Sequence, residues 1–428
     1  MAKVKPFKAV VYSQNRSPDI SRLVCPPYDV ISFEKQRYYH DLDSSNFIHI
    51  LLGMDIPGED KYRRAGENFR QWLKDGILSQ EEQPAVYYYI QEFKVMGEKK
   101  ARRGFIALLH LGEGKSSAFG HENTHREAKE DRLKLIRQVK ANLSPIFAIF
   151  VDKKRLINNI YEHAVKDRLP FIDITDDEGV SHKLWRIDSP QLLSDIESKM
   201  VAEDIFIADG HHRYEVAQAY RQELRDRGQV ISEDDNRNYI LSYFTNTDAR
   251  GLEIMPIHRL VRLKREIGAE ELISKLKVNF DIEEIRDKAR FFFLLRKGGR
   301  SEHLMGMYRG GRFWLVRLKN VKILDREFPD KPKEYSNLDV AVLNSLILEK
   351  ALRIDLQDKE ALSFSHNAEE LITQVNQGDA RIAFFLNPVA VEQIIALALK
   401  GEKMPPKSTY FYPKVLSGLV INKFNSEG

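Results

Sequence analysis

A chain of 428 residues is too long for one ordinary domain and predicts two or three domains with sizeable cores. With 43% hydrophobic and 30% charged residues it is neither disordered nor fibrous. Lysine and arginine outnumber aspartate and glutamate by only 67 to 63, so the charge balance makes no demand for nucleic acid, which is not an expected partner, or for an anionic membrane. The lone cysteine, Cys25, excludes an intrachain disulfide and a Cys-based zinc cluster. No apolar run approaches a signal peptide or a membrane span, which makes a reducing cytoplasm the expected location. Oligomeric state is left open.

In chain order, "FKAVVY" reads as a strand, and "PPYDVIS" as a proline-stiffened approach that presents Tyr28 and Asp29 before a helix from about Phe33. "FIHILL" reads as a second strand and "KYRRAGENFRQWLKDGIL" as a helix closed by Gly76. "AVYYYIQEFKVMGEKKARRGFIALLHL" is two period-two runs around a Gly-containing turn, a hairpin. A charged helix to about Lys140, a buried strand "PIFAIFV", a helix near 153–167, a hairpin "PFIDITDDEGVSHKLWRI" and a helix at 190–200 follow. Next comes "DIFIADGHHRYEVAQAYRQELRDRG", a strand, a tight turn and a helix. "DARGLEIMPIHRLVRL" carries the Gly and Pro of a boundary, which separates a domain at 1–250 from one at 251–428. The second half adds a helix near 268–277, a hairpin "HLMGMYRGGRFWLVRL", a helix "LDVAVLNSLILEKAL", the run "RIAFFL" and a helix "PVAVEQIIALALKG". Hairpins mixed with βα units predict an α/β (mixed α+β) fold with mixed sheets in two packed domains.

Residues 121–125, HENTH, match the helix motif of zinc peptidases. The match lacks its context. The following "REAKEDRLK" is charged at nearly every position, which describes a solvated helix, and no third ligand follows at the required spacing. No zinc is expected. The flanks read better as a loop entering a helix capped by Asn123 or Thr124, which places Glu122 where a carboxylate can be aimed into a cleft.

"IFIADGHHRYEVA" carries more chemistry. An apolar run ends in Asp209, Gly210, His211, His212 and Arg213 and passes directly into an amphipathic helix, an arrangement that offers backbone N–H groups and the helix dipole to an anion. Gly210 permits the turn and a close approach, Arg213 supplies a forked phosphate donor, and the two histidines can donate or shuttle protons. Asp209 is placed to hold Mg²⁺ or to orient a histidine. In "MPPKSTYFYPKVLSGLVI", Lys407, Ser408, Thr409 and Lys414 lie along a strand-like run; alternation puts Lys407, Thr409 and Phe411 on one face, where the tail could close over an anion.

The segments "CPPYDVI", "GHENTH", "ADGHHRYEVA", "PIHRL", "FFLNP" and "MPPKSTYFYPKVLSGLVI" together resemble the bacterial and archaeal family labelled domain of unknown function 1015. Its DGHHR turn in turn resembles the D-G-x-H-R phosphate turn of the ParB and sulfiredoxin superfamily, which includes free-serine kinases. That resemblance implies a phosphate cradle at Gly210, His212 and Arg213 with Asp209 at its entrance, and an acidic base from another segment, Glu122 or Asp29; His211, in the same turn, is a further cofactor-binding candidate. The expected function is an ATP- or ADP-dependent, Mg²⁺-assisted phosphotransferase acting on a small hydroxyl compound such as L-serine. Glu122, Asp29 and His212 are its catalytic candidates. The alternative is a non-catalytic regulatory protein that binds a nucleotide through the same turn.

Overall fold

The computed structural model describes residues 2–17, 19–112, 118–122, 126–248, 251–263, 267–299, 302–378 and 381–425. They fall into two compact units, the first comprising Met1–Gly120, Thr124–Leu252 and Pro413–Gly428, the second His121–Asn123 with Glu253–Tyr412. The final stretch of chain therefore belongs to the first unit.

The first unit is built on a sheet of nine strands among the described residues: β1 (Val4–Lys5), β2 (Val86–Val95), β3 (Glu98–His110), β4 (Ala118–Gly120), β5 (Ile146–Phe150), β6 (Ile172–Thr175), β7 (Ser181–Ile187), β8 (Ile205–Asp209) and β9 (Tyr239–Asn246). Their order is β4-β8-β5-β9-β3-β2-β7-β6, with β1 on β3. The β4–β8 and β5–β9 pairs are parallel and the rest antiparallel, the mixed sheet that alternating hairpins and βα units predict. The β2–β3 hairpin turns at Met96 and Gly97, both at positive φ, as a tight two-residue turn requires. One sheet face carries Tyr88, Phe105, Ala148, Ile205, Ile207 and Phe244 and packs against the helices Leu156–Ala164, Pro190–Met200 and His211–Asp226. The opposite face carries Tyr89, Gln91, Arg102, Phe147, His182 and Tyr243, and the C-terminal segment crosses it: Gln91 Nε2 donates to Lys414 O at 2.9 Å and Arg102 Nη2 to Pro413 O at 2.5 Å. Tyr243 reaches across Gly104, where a Cβ would come within 2.6 Å of its ring. The sheet therefore has an apolar, helix-covered side and a polar, chain-covered side.

The second unit holds an antiparallel sheet ordered β11-β13-β12-β15-β10-β14, where β10 is His258–Val261, β11 Phe280–Ile285, β12 Leu304–Arg309, β13 Arg312–Leu318, β14 Leu362–Ser365 and β15 Ile382–Phe385. Phe291 and Leu295 of one helix and Leu371 and Val375 of another complete its core. The helix expected over "LDVAVLNSLILEKAL" forms, with Leu343–Ala351 wound as a π-helix.

One expected strand is a helix. "FIHILL" forms the short helix Ile48–Leu51 because Asn46 sets up a local turn: its Oδ1 accepts from Ile48 N at 2.9 Å while its Nδ2 donates to Arg22 O and Val24 O. A side chain that bonds the backbone two residues on favours turning over extension. Ile48, Ile50 and Leu51 are all buried, so no alternation is there to be served.

Candidate anion site

The residues of β8 are apolar and buried from Ile205 to Ala208, as a strand inside a sheet requires. Gly210 then takes φ 90°, and the helix His211–Asp226 begins at once, with Tyr214 N bonded to Gly210 O at 3.0 Å. A side chain at residue 210 would be strained by the backbone and would come within 3.0 Å of the Arg213 guanidinium. Gly210 has no side chain to cap this helix start and no acidic residue stands in its first turn, so its N–H groups present positive potential. His211 is buried and His212 half-buried.

Asp209 owes its direction to an irregularity in the ladder. Ile207 pairs with Ala148, but Asp209 pairs with Phe147, so two residues of β8 oppose one of β5. Strict alternation would put Asp209 beside Ile205 and Ile207 on the helix-covered face. The bulge at Ala208 turns it to the polar face, where Phe147 lies under the Arg102 guanidinium at 4.5 Å. There Asp209 Oδ1 accepts from Lys414 Nζ at 2.5 Å and Oδ2 from Arg213 Nη2 at 2.7 Å. The side chains are only 17%, 11% and 11% exposed, so the partners stand in for water. Burial opposes ionisation of Asp209, yet the Lys414 and Arg213 charges and the Lys414 hydrogen bond outweigh it and hold the carboxyl well below the usual range. Arg213 Nη1 also donates to Pro145 O. Arg102 is wholly buried, bonds Gln91 Oε1, and is pulled below its ordinary value by burial, with Tyr243, Tyr89 and Asp209 opposing. Two cations thus bond one carboxylate at a helix N-terminus, and Arg102 feels its charge.

The structure brings Asp209, Gly210, His211, His212 and Arg213 together as one turn. Asp29 lies exposed in a single 3-10 turn, Tyr28–Val30, and Glu122 is half-buried and grouped with the second unit. His125 and the proposed caps Asn123 and Thr124 lie outside the described residues. Asp209, the expected Mg²⁺ ligand, has each oxygen on a side-chain cation. Among the described residues no group of three or more His, Cys, Asp or Glu could hold a metal.

Sequence reasoning names Lys414 and Tyr28 without placing them at this turn and does not name Arg102. Lys414, not Lys407, reaches Asp209. Lys407 sits at φ 56° with its carbonyl accepting from Arg259 at 3.0 Å, so the alternation drawn through Lys407, Thr409 and Phe411 does not continue as a strand; only Tyr410–Tyr412 is extended. Arg102 stands in the second strand of the hairpin, where its pairing opposite Gln91 turns it inward. Tyr28 is the neighbour of Asp29, and its hydroxyl feels the charges of Arg213, Arg132 and Asp209.

Residues 4–341 match the family described as "Protein of unknown function (DUF1015)". No curated protein matches the chain. Among solved structures, a conserved hypothetical protein from Pyrococcus furiosus is 12% identical, with 72% of this chain and 92% of that chain covered and a TM-score of 0.33. A free serine kinase in complex with AMP is 12% identical, covering 72% and 86%, TM-score 0.35. SbnI with C-terminal truncation from Staphylococcus aureus is 12% identical, covering 73% and 85%, TM-score 0.36.

Proposed function

The chain belongs to the DUF1015 family, whose description assigns no chemistry, and from the site itself we propose a nucleotide-dependent phosphotransferase acting on a small hydroxyl compound. One observation carries the reading: Arg213 and Lys414 both bond the carboxylate of Asp209, with the charge of Arg102 near enough to be felt, beside a helix N-terminus that opens at Gly210. Buried cations and helix first-turn N–H groups favour an anion, and a phosphate is one that they can bind. In this reading the first-turn N–H groups and Arg213 bind a nucleotide phosphate, and Asp209 fixes Arg213 and Lys414 in orientation. Positioned cations offset charge that develops on the transferred phosphoryl group, which is most of what catalysis of phosphoryl transfer needs. His212, half-buried on the first turn, is available to move a proton. A carboxylate, Glu122 or Asp29, accepts the acceptor's hydroxyl proton. Mg²⁺ belongs here only as the ion a nucleotide brings with it, since Asp209 already holds two cations. The likeness of the DGHHR turn to that of free-serine kinases makes L-serine the first acceptor to try.

The test is a panel of hydroxy amino acids, sugars and polyols incubated with the protein, Mg²⁺ and ATP or ADP, with phosphorylated product read by mass spectrometry. Product that requires both nucleotide and acceptor supports the transferase. Nucleotide binding without any product would leave a regulatory nucleotide-binding protein in its place.

A further inference from the structure

We propose that Arg132 is a second arginine of the anion site, and that Arg132 and Arg213 grip one tetrahedral oxyanion of phosphoryl size in the cavity they share. This rests on the reading that the DGHHR turn takes a nucleotide phosphate. The cavity, about 60 Å³, is lined by Tyr28, Arg132, Ser144 and Arg213 with Leu135 and Val216. A single water needs roughly 10–15 Å³ of such space, so the cavity suits a few waters or one phosphate-sized group and is too small for a nucleoside.

Arg132 projects from the helix Arg126–Val139 and is 7% exposed. Its Nε donates to Asp131 Oδ2 at 2.7 Å, its Nη2 lies 2.6 Å from the same oxygen, and its Nη1 donates to Leu51 O at 2.8 Å. Its guanidinium stacks 4.4 Å over the Tyr28 ring. These contacts fix the plane of the guanidinium and leave N–H groups on both terminal nitrogens. Arg213 arrives from another helix with its terminal nitrogens on Asp209 and Pro145, and its Nε is buried with no partner. The Tyr28 hydroxyl makes no hydrogen bond among the described residues. Burial, aided by Asp29, pushes it up to about 12 against the pull of both arginines, so it stays a neutral O–H donor. Two forked cations, an unpaired buried N–H and a free hydroxyl around one small cavity form a set that an oxyanion satisfies and an apolar group does not.

Two substitutions at Arg132 separate this role from a structural one. Arg132→Met keeps length and burial without the charge; Arg132→Lys keeps a charge and a donor for Leu51 O without the fork. ADP and inorganic pyrophosphate are titrated calorimetrically into the wild-type protein, Arg213→Ala and both Arg132 variants, with thermal melts to confirm folding. Each Arg132 variant should bind both probes about ten- to a hundredfold more weakly, the loss expected for a forked, charge-assisted contact. If Arg132→Met does not fold, Arg132→Lys carries the measurement. Arg132 variants that bind ADP normally while Arg213→Ala binds it poorly overturn the Arg132 assignment alone. A wild-type protein that binds neither probe removes the nucleotide reading and this inference with it.

Discussion

Arg102 in the first unit and Arg259 in the second are both completely buried, yet their surroundings have little in common. Arg102 bonds Gln91, and burial holds it below its ordinary value with Tyr243, Tyr89 and the charge of Asp209 opposing. Arg259 donates to the carbonyls of Ile257 and Lys407 and lies over the Phe364 ring, and burial alone pushes it down to about 9. The second arginine ties β10 to the chain at Lys407. The first lies near Asp209, the carboxylate that Lys414 and Arg213 both bond. Burial by itself therefore does not distinguish the two arginines; their surroundings do.

The strongest way to break this division is to find the proton acceptor in the second unit. The two candidate bases fall on either side of it, Asp29 in the first unit and Glu122 in the second. Glu122→Gln keeps volume and one acceptor and is expected to lower turnover by about a hundred- to ten-thousandfold, with nucleotide affinity unchanged. Near-full turnover in Glu122→Gln with loss in Asp29→Asn would confine the chemistry to the first unit.

Asp209→Asn should cost the first unit about 3–5 kcal/mol, because it removes the buried carboxylate charge that Lys414 and Arg213 both bond. Urea unfolding followed by tryptophan fluorescence measures this. A loss under about 1 kcal/mol would show that the cations are not held by the carboxylate.

Arg259→Met should cost less, about 1–2 kcal/mol, since two carbonyls lose donors while an uncompensated buried cation is also removed. A larger loss than Asp209→Asn in the same assay would reverse the comparison.

The last effect is one of pH, and it is small at any one step near neutrality. His258 accepts a hydrogen bond from Leu386 N at 3.2 Å through Nδ1, and burial, with Arg259 and His366, pushes it down to about 3. The folded value lies below the unfolded one of about 6.5, so unfolding takes up a proton in acid. The second unit should be at full strength above about pH 6.5 and lose about 1.4 kcal/mol per pH unit as the pH falls toward 3. His258→Asn retains an acceptor and cannot titrate. A variant whose acid slope equals that of the wild-type protein would rule this histidine out.

What the sequence determines here is local. The β2–β3 hairpin, the helix closed at Gly76 and the strand, glycine turn and helix at 205–226 all follow from periodicity and from a backbone requirement that only a nearby residue can meet. The DGHHR turn is legible for the same reason: its N–H groups and Arg213 come from one stretch of chain. "FIHILL" shows the limit of that kind of reading, because a six-residue apolar run fits a buried helix as well as a strand until Asn46 finds its partners. The electrostatic character of the site was decided only by tertiary structure. Alternation along β8 points Asp209 toward the helices, and only the pairing with β5 introduces the bulge that reverses it. Lys414 arrives from 205 residues away, and Arg102 is turned inward by lying opposite Gln91. A sequence fixes which residues can carry charge, but the face a strand residue takes and the partner its charge meets depend on neighbouring strands that only folding supplies.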